Sequence, residues 1–330
     1  MQDFPVVDIS ILAGGSESAK QTLAARVDEV CRHTGFLAIV GHGVPEEVSA
    51  GVQATAKSFF DLPLDKKLVV KMPYVGYPYG YAPLQTEALA WSLGDETPPD
   101  LKESFSIGPP DRSHADTRSS DLDFRLAPNL WPIDPSGLKA AWSTYYHAMS
   151  ELAARIMRIF AVALDLSEDF FEDKFDQHPS AMRALNYPRQ LVPPKPGQLR
   201  AGAHTDYGSV TILLAEPDPG GLEICTPGGE RSAVPSVPGA FIVNIGDLLA
   251  RWTNDRWVST LHRVVCPPPD ERARQQRQSI AFFHQPNWDA EIRCISTCLA
   301  PGGKAKYAPV TSGAHLREKF RRALPSGGRQ

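Results

Sequence analysis

The chain has 330 residues, of which 42% are hydrophobic and 22% are charged, and its net charge is −4. These values are ordinary for a globular protein with a sizeable core. They give no reason to expect nucleic acid or an anionic membrane as a partner, and no apolar run is long enough to span a bilayer. The five cysteines are irregularly spaced, which is typical of reduced thiols. We therefore expect a cytoplasmic protein without an obligatory protein partner.

Residues 1–135 are predicted to form an N-terminal leader region that begins with a short strand and a helix. Residues 4–9 indicate a short strand, and apolar residues at helical spacing predict a helix over 18–34. A buried strand over 35–40 and a second helix over 45–60 follow. Residues 74–135 are rich in Gly, Pro and Tyr and show little periodicity, so we expect a long ordered loop region that covers a site.

Residues 136–330 predict a long helix followed by a β-sheet core. Between Trp142 and Ala163, apolar residues recur at intervals of three and four, which indicates a packing helix. Short apolar runs typical of strands follow at 210–214, 222–224, 240–244 and 279–283. The sequence therefore predicts a mixed α+β fold in one compact unit: a double-stranded β-helix (jelly-roll) core, a helical N-terminal part and a long backing helix.

A histidine and an aspartate stand one residue apart in His204-Thr205-Asp206. On a strand, such a pair points to one face and could bind one metal ion together. His262 could complete the two-imidazole, one-carboxylate triad of non-haem Fe(II) oxygenases, which leaves the other metal positions open. Taken singly, His204 could instead be a turn residue and His262 a core histidine.

Arg277 and Ser279 place two polar groups on one face of a strand that is otherwise apolar. A buried arginine requires an anion, and a guanidinium binds a carboxylate through two parallel hydrogen bonds. We predict that this pair holds the distal carboxylate of 2-oxoglutarate. A salt bridge between Arg277 and an internal carboxylate is the alternative.

Residues 200–283 resemble the core of the Fe(II)/2-oxoglutarate-dependent dioxygenases of the isopenicillin N synthase-like family. The matching segments stand in the family's order: 204–208, 244–247, 253–254, 259–264 and 277–279, with 5–8, 35–45 and 102–105 extending the match into the N-terminal part. The resemblance implies that His204, Asp206 and His262 bind iron. It also implies that Arg277, Ser279 and Tyr187 bind 2-oxoglutarate.

The implied reaction is the oxidation of a small organic molecule by O2, as 2-oxoglutarate becomes succinate and CO2. Hydroxylation is the expected outcome, with desaturation or ring closure where the substrate is placed differently. Segments within residues 200–252 are also similar to fungal thymine dioxygenases, so a pyrimidine is one expected substrate.

Four residues are predicted to contact the substrate: Arg183, Phe283, Tyr79 and Tyr81. Phe283 matches an aromatic position of the family, and plain core packing is its alternative. Arg183 would share a strand face with Tyr187 and could meet a polar or anionic substrate, or it could be a surface charge. Tyr79 and Tyr81, with Tyr77, Leu84 and Trp91, are expected to form a lid or pocket wall unless they only pack the loop.

Three further positions complete the predictions. The family often has Asn where this chain has Leu185, so one polar contact to 2-oxoglutarate is in question. The segment 244–247 is interpreted as structural, because Asn and Asp beside Gly shape turns. His284 follows Phe283 and should face away from the iron.

Two alternative functions stay open on these residues. One is an iron oxidase of the same fold that uses no 2-oxoglutarate, in which Arg277 and Ser279 would bind the substrate's own carboxylate. The other is a non-catalytic metal-binding jelly-roll protein. The open-sided triad argues against the second alternative, since structural metal sites usually fill every position.

Overall fold

The computed structural model describes residues 4–74, 76–111, 127–216, 220–226, 229–268 and 275–323. Its strands are β1 (Val6–Asp8), β2 (Phe36–Val40), β3 (Gly80–Ala82), β4 (Glu103–Ile107), β5 (Ala181–Tyr187), β6 (Ala201–His204), β7 (Val210–Ala215), β8 (Leu222–Cys225), β9 (Arg231–Ala233), β10 (Phe241–Ile245), β11 (His262–Val264), β12 (Arg277–His284), β13 (Glu291–Ile292) and β14 (Val310–Thr311). Its α-helices are α1 (Glu17–His33), α2 (Glu46–Phe60), α3 (Leu64–Leu68), α4 (Leu138–Ala163), α5 (Glu172–Phe175), α6 (Asp247–Trp252) and α7 (Ser312–Ala323). Short 3-10 helices lie at Ser10–Ala13, Leu89–Leu93 and Ser296–Cys298.

Two sheets face each other and form the jelly roll. The major sheet has eight strands in the order β1-β2-β10-β7-β12-β5-β4-β3, and the minor sheet has four in the order β6-β11-β8-β9. Strands β1 and β2 pair in parallel, whereas β10 pairs with both β2 and β7 in antiparallel fashion. Buried apolar side chains fill the space between the sheets, among them Phe36, Ala201, Ile224 and Ile242. The predicted mixed α+β jelly-roll fold is confirmed.

The opposite face of the major sheet packs against the long helix α4. Trp142 and Tyr146 on α4 meet Phe105 and Phe282 on the sheet, with ring centroids 5.1 and 5.2 Å apart. Helix α4 buries its apolar stripe here because residues three and four apart share one side of a helix. The predicted backing helix is confirmed, and it forms with α1 and α2 the larger hydrophobic core.

The N-terminal region supplies four strands to the major sheet. The helices and strands predicted over 4–60 are present as β1, α1, β2 and α2, and a side-chain hydrogen bond from Ala19 N to Ser16 Oγ caps α1. The description of residues 74–135 as loop is wrong for β3 and β4, while residues 75 and 112–126 lie outside the described residues. Strand β4 pairs with β5, which follows it by more than seventy residues, so its neighbours in sequence give little sign of it.

The predicted boundary at 135/136 falls just before α4, yet strands from both sides of it share one sheet. Backbone hydrogen bonds join β2 to β10 and β4 to β5, so in each pair one strand precedes the boundary in sequence and the other follows it. No helix among the described residues is both long and apolar enough to cross a bilayer.

Candidate active site

Three predicted metal ligands meet at one end of the space between the sheets. His204 ends β6, His262 begins β11, and the two residues are paired across the minor sheet. Their Nε2 atoms lie 3.8 and 3.7 Å from Asp206 Oδ1. One ligand atom from each residue falls within 4.8 Å of the others, which is close enough for one ion to contact all three after small side-chain adjustments.

Both imidazoles are held so that one nitrogen points to this centre. His204 Nδ1 lies 2.8 Å from Gly202 O, and His262 Nδ1 lies 3.0 Å from Thr260 O. A carbonyl accepts only from an N–H, so each Nδ1 carries a proton, and Nε2 is the ring nitrogen that faces Asp206 and could bind a metal. Such bonds fix the tautomer and orientation of metal-binding histidines.

The carboxylate of Asp206 is divided between two tasks. Its Oδ2 accepts hydrogen bonds from Thr211 Oγ1 at 2.5 Å and Asn244 Nδ2 at 2.7 Å. Oδ1 is the oxygen that faces the two histidines. Two neutral imidazoles and one oriented carboxylate oxygen fit a ferrous ion bound on one face.

The electrostatics keep these groups in the protonation states that a metal requires. Burial, with repulsion from His262, lowers the pKa of His204 to about 3, so its ring is neutral near pH 7. Burial alone would raise the pKa of Asp206, but the two histidines and the hydrogen bonds from Asn244 and Thr211 hold that pKa below its usual value. The aspartate is therefore ionised and the histidine is available as a ligand.

Asp247 braces the loop that carries the ligands. It accepts hydrogen bonds from Thr205 Oγ1 at 3.0 Å and Ser259 Oγ at 2.7 Å, and it forms a salt bridge with Lys319 of α7. Its backbone N–H donates to Asp206 O at 2.7 Å. Asp247 thus connects both ligand-bearing segments to the C-terminal helix.

The predicted 2-oxoglutarate clamp lies further along β12. Arg277 pairs directly with Tyr187 across β12 and β5, and Ser279 pairs with Leu185, so all four side chains share the face toward the minor sheet. Arg277 is 3% exposed, and its Nε and Nη1 are buried without a hydrogen-bond partner. The alternative salt bridge is absent among the residues described, which leaves these donors suited to an incoming carboxylate.

Two predicted substrate residues lie on the same face, between the metal ligands and the edge of the sheet. Phe283 pairs with Thr211, which supports Asp206, and its ring is half-buried and belongs to neither hydrophobic core. Arg183 donates from Nε to Ser106 Oγ at 2.8 Å and lies 3.3 Å from Glu87 Oε1. Both side chains thus lie on the face of the sheet that carries the candidate site.

A set of paired charges surrounds Arg183. Glu87 also lies 3.6 Å from Lys102, which is itself paired with Asp100 at 2.6 Å. Burial opposes the ionisation of Glu87, but Arg183 and Lys102 hold its pKa below the ordinary value. The two positive charges are balanced by two carboxylates, so the group has no net charge. We call Arg183, Glu87, Lys102 and Asp100 the paired wall.

The two candidate tyrosines have different positions. The ring of Tyr79 occupies the place of a Cβ at Gly108, only 2.3 Å away, so no larger residue fits there. Gly108 directly follows β4, so Tyr79 packs against the end of that strand and is almost fully buried.

Tyr81 lies on the face of the major sheet toward the helices, opposite the face that carries the candidate site. It pairs with Phe105, packs edge-on against Phe59 at 5.9 Å and hydrogen-bonds to Glu103. The structure therefore does not support the predicted substrate contact of Tyr81. The residue alternates to the helix side because β3 is a strand, which the loop prediction did not anticipate.

Two segments border the open mouth. Asp100 accepts hydrogen bonds from Leu89 N at 3.1 Å and from Gly202 N at 2.9 Å, which fixes the 3-10 helix containing Trp91 beside β6. Helix α7 packs against this 3-10 helix, and the ring of Phe320 lies 5.6 Å from the ring of Tyr207. The Trp91 segment thus fits the predicted wall, whereas α7 was not expected there.

Sequence reasoning assigned Asn244 and Asp247 to a turn and overlooked Thr211. The structure places Asn244 and Thr211 on the carboxylate of Asp206. His284 faces the helix side as predicted and stacks on Phe175 with centroids 4.4 Å apart.

A jelly roll that holds two histidines and one aspartate at an open end is the arrangement of a non-haem iron oxygenase. Comparisons with known proteins agree. Residues 4–134 match the family model described as "non-haem dioxygenase in morphine synthesis N-terminal", and residues 179–286 match the 2OG-Fe(II) oxygenase superfamily.

The chain is 34% identical over 325 residues to the 2-oxoglutarate-Fe(II) type oxidoreductase hxnY of Emericella nidulans, covering 97% of this chain and 90% of the relative. It is 32% identical over 329 residues to homoarginine-6-hydroxylase 2-ODD-233 of Oryza sativa subsp. japonica, covering 96% of each. A solved structure of a full-length Neurospora crassa protein in complex with alpha-KG and thymine is similar at a TM-score of 0.84 and 31% identity, covering 97% of this chain and 98% of that one.

The chain therefore belongs to the 2OG-Fe(II) oxygenase superfamily. It is an oxidoreductase that uses Fe(II), 2-oxoglutarate and O2.

Proposed function

We propose that the protein hydroxylates a C–H bond of a small, uncharged, polar molecule, with conversion of 2-oxoglutarate to succinate and CO2. The observation that carries this proposal is the cluster of His204, Asp206 and His262, whose two imidazoles are oriented by their own hydrogen bonds. Family membership favours this function over the two alternatives that the sequence left open.

The predicted ligands of iron and of 2-oxoglutarate each have a role in this proposal. His204, Asp206 and His262 hold Fe(II) on one face, and Arg277, Ser279 and Tyr187 hold the distal carboxylate of 2-oxoglutarate. Iron bound with 2-oxoglutarate supplies the oxidant for an unactivated C–H bond. The protein orients the substrate and keeps water away from the site.

The paired wall supports an uncharged substrate. Arg183 and Lys102 are each already matched by a carboxylate, so an ionic substrate would have to displace an existing partner. A neutral molecule with a carbonyl beside an N–H could instead accept from Arg183 and donate to Glu87. Phe283 offers an aromatic face for a planar ring. A pyrimidine base has these features, and the similar Neurospora crassa protein was crystallised with thymine.

The test is succinate formation by the purified protein with Fe(II), 2-oxoglutarate and O2. Thymine, homoarginine and validamycin A, which the names of similar proteins suggest, form the first panel. We expect thymine to accelerate succinate formation most and to yield a product heavier by one oxygen atom. Preference for cationic homoarginine would contradict the argument from the paired wall.

Two variants connect the test to the site. Asp206→Ala removes a ligand, and we expect it to abolish succinate formation. Arg183→Met should raise KM for the substrate, because a half-buried hydrogen-bond donor is lost, while the slow turnover of 2-oxoglutarate without substrate is retained. Detection of a product lighter than the substrate by two hydrogen atoms would show desaturation instead of hydroxylation.

A further inference from the structure

A second arginine is buried close to the predicted clamp. Arg200 directly precedes β6, the strand that ends at His204, and it is 1% exposed. Its guanidinium carbon lies 5.8 Å from the centre of the Tyr187 ring, and that of Arg277 lies 5.2 Å from the same centre. Two guanidinium groups therefore neighbour one tyrosine inside the protein.

Neither guanidinium has a carboxylate partner among the residues that the structure describes. Arg200 donates one long hydrogen bond, from Nη2 to Gln275 O at 3.4 Å, and its Nε is buried without a partner. Arg277 likewise leaves Nε and Nη1 unpaired. By contrast, the buried Lys67 and Lys102 form salt bridges with Glu103 and Asp100, both shorter than 3 Å.

Two buried like charges without an anion are costly to the folded protein. Each loses its hydration, and each repels the other across a medium of low dielectric constant. Burial, with repulsion from Arg277, lowers the pKa of Arg200 from its usual value. A bound anion would satisfy the orphaned N–H groups and offset the repulsion.

We infer that Arg200 supplies a second positive charge to the site for the distal carboxylate of 2-oxoglutarate. This inference rests on the proposed function. Arg277 and Ser279 contact the carboxylate, and Arg200 acts as a positioning residue beside Tyr187. The pair of arginines makes the site selective for a co-substrate with a negative charge at its far end.

Binding measurements test the inference without turnover. The protein is loaded with Mn(II), and calorimetry measures the affinity for 2-oxoglutarate and for 2-oxopentanoate, which has the same chain without the distal carboxylate. We expect Arg200→Met to weaken 2-oxoglutarate binding by about 10- to 100-fold and to leave 2-oxopentanoate binding unchanged. Arg200→Lys should retain most of the affinity, because it keeps the charge.

Arg263→Met is the matched control, since Arg263 has its own salt bridge with Glu223 at 2.8 Å and should not affect either ligand. Equal loss of both ligands in Arg200→Met would show a merely structural role, and unchanged 2-oxoglutarate binding would also overturn the inference. If Arg200→Met does not fold, Arg200→Gln replaces it and is judged by the same ratio of affinities. A wild-type protein that binds no 2-oxoglutarate contradicts the proposed function instead.

Discussion

The face of the major sheet toward α4 buries the larger hydrophobic core, whereas the face toward the minor sheet carries the candidate ligand-binding groups beside apolar side chains such as Phe36 and Ile242. The same strands supply both. Along β12, Ile280 and Phe282 are fully buried in the larger core, whereas Arg277 and Ser279 line the site. Because successive side chains point to opposite faces, residues that stabilise the core alternate along the strand with residues that face the candidate site.

This alternation explains why the register of β12 must be exact. Sliding the strand by one residue would bring Phe282 to the site and Phe283 to the helix. Seven consecutive pairs with β5 and six with β7 fix the register on both sides. Of two neighbouring substitutions, one should therefore mainly lower stability and the other should mainly weaken substrate or metal binding.

Two adjacent phenylalanines give the largest expected difference. Phe282→Ala should lower the free energy of unfolding by about 3–5 kcal/mol, because it leaves a cavity beneath α4. Phe283→Ala should cost about 1 kcal/mol, since its ring is half-buried, but should raise KM for the substrate. Urea denaturation and succinate formation measure the two effects. Equal losses of stability in both variants would contradict the division between the faces.

A second pair on β10 separates the metal site from the core. Asn244→Ala removes one of the two donors to Asp206 Oδ2, and we expect Fe(II) affinity to fall about 10- to 100-fold with little loss of stability. Val243→Ala, on the buried opposite face, should lower stability and leave metal affinity intact. Titration with Fe(II) under anaerobic conditions makes the comparison. Unchanged metal affinity in Asn244→Ala would show that its hydrogen bond is dispensable.

The smallest expected effect concerns pH and lies on the helix face. Burial, with repulsion from His178, holds the pKa of His284 well below its usual value near 6.5. Below pH 6.5 the unfolded chain takes up a proton that the folded protein excludes, so the free energy of unfolding falls as pH falls. The slope approaches about 1.4 kcal/mol per pH unit for one histidine.

Urea denaturation between pH 7.5 and 5 measures this slope. His284→Asn should reduce it by the contribution of one histidine, whereas His33→Asn, on the exposed side of α1, should not change it. A slope that persists in full in His284→Asn would assign the pH dependence to other groups.

Helices α1, α2 and α4 and most strands of the core could be predicted from sequence because their signals are local. The spacing of apolar residues on α4 and the runs in β7, β8, β10 and β12 each lie within one element. Strand β4 was missed because only its pairing with the distant β5 makes it a strand. The position of Tyr81 on the helix face could not be predicted for the same reason.

The cluster of His204, Asp206 and His262 could be predicted because His204 and Asp206 stand one residue apart, a spacing that lets both bind one metal ion. The residues that hydrogen-bond to Asp206 could not be predicted. Asn244 reaches Asp206 only through the pairing of β10 with β7, which places Asn244 opposite Thr211. Arg200 belongs to no sequence motif, and its position beside Tyr187 depends on how the start of β6 packs near β5.

The order of strands in the major sheet has a consequence for how the chain can be divided. Two inner neighbours, β2 beside β10 and β4 beside β5, come from opposite sides of the 135/136 boundary. A cut there would remove one of the two neighbours of β10 and of β5, and the two exposed strand edges could then pair with other chains. We therefore expect the two segments that match separate family models to fold only together, and neither to serve as a module that could be exchanged alone.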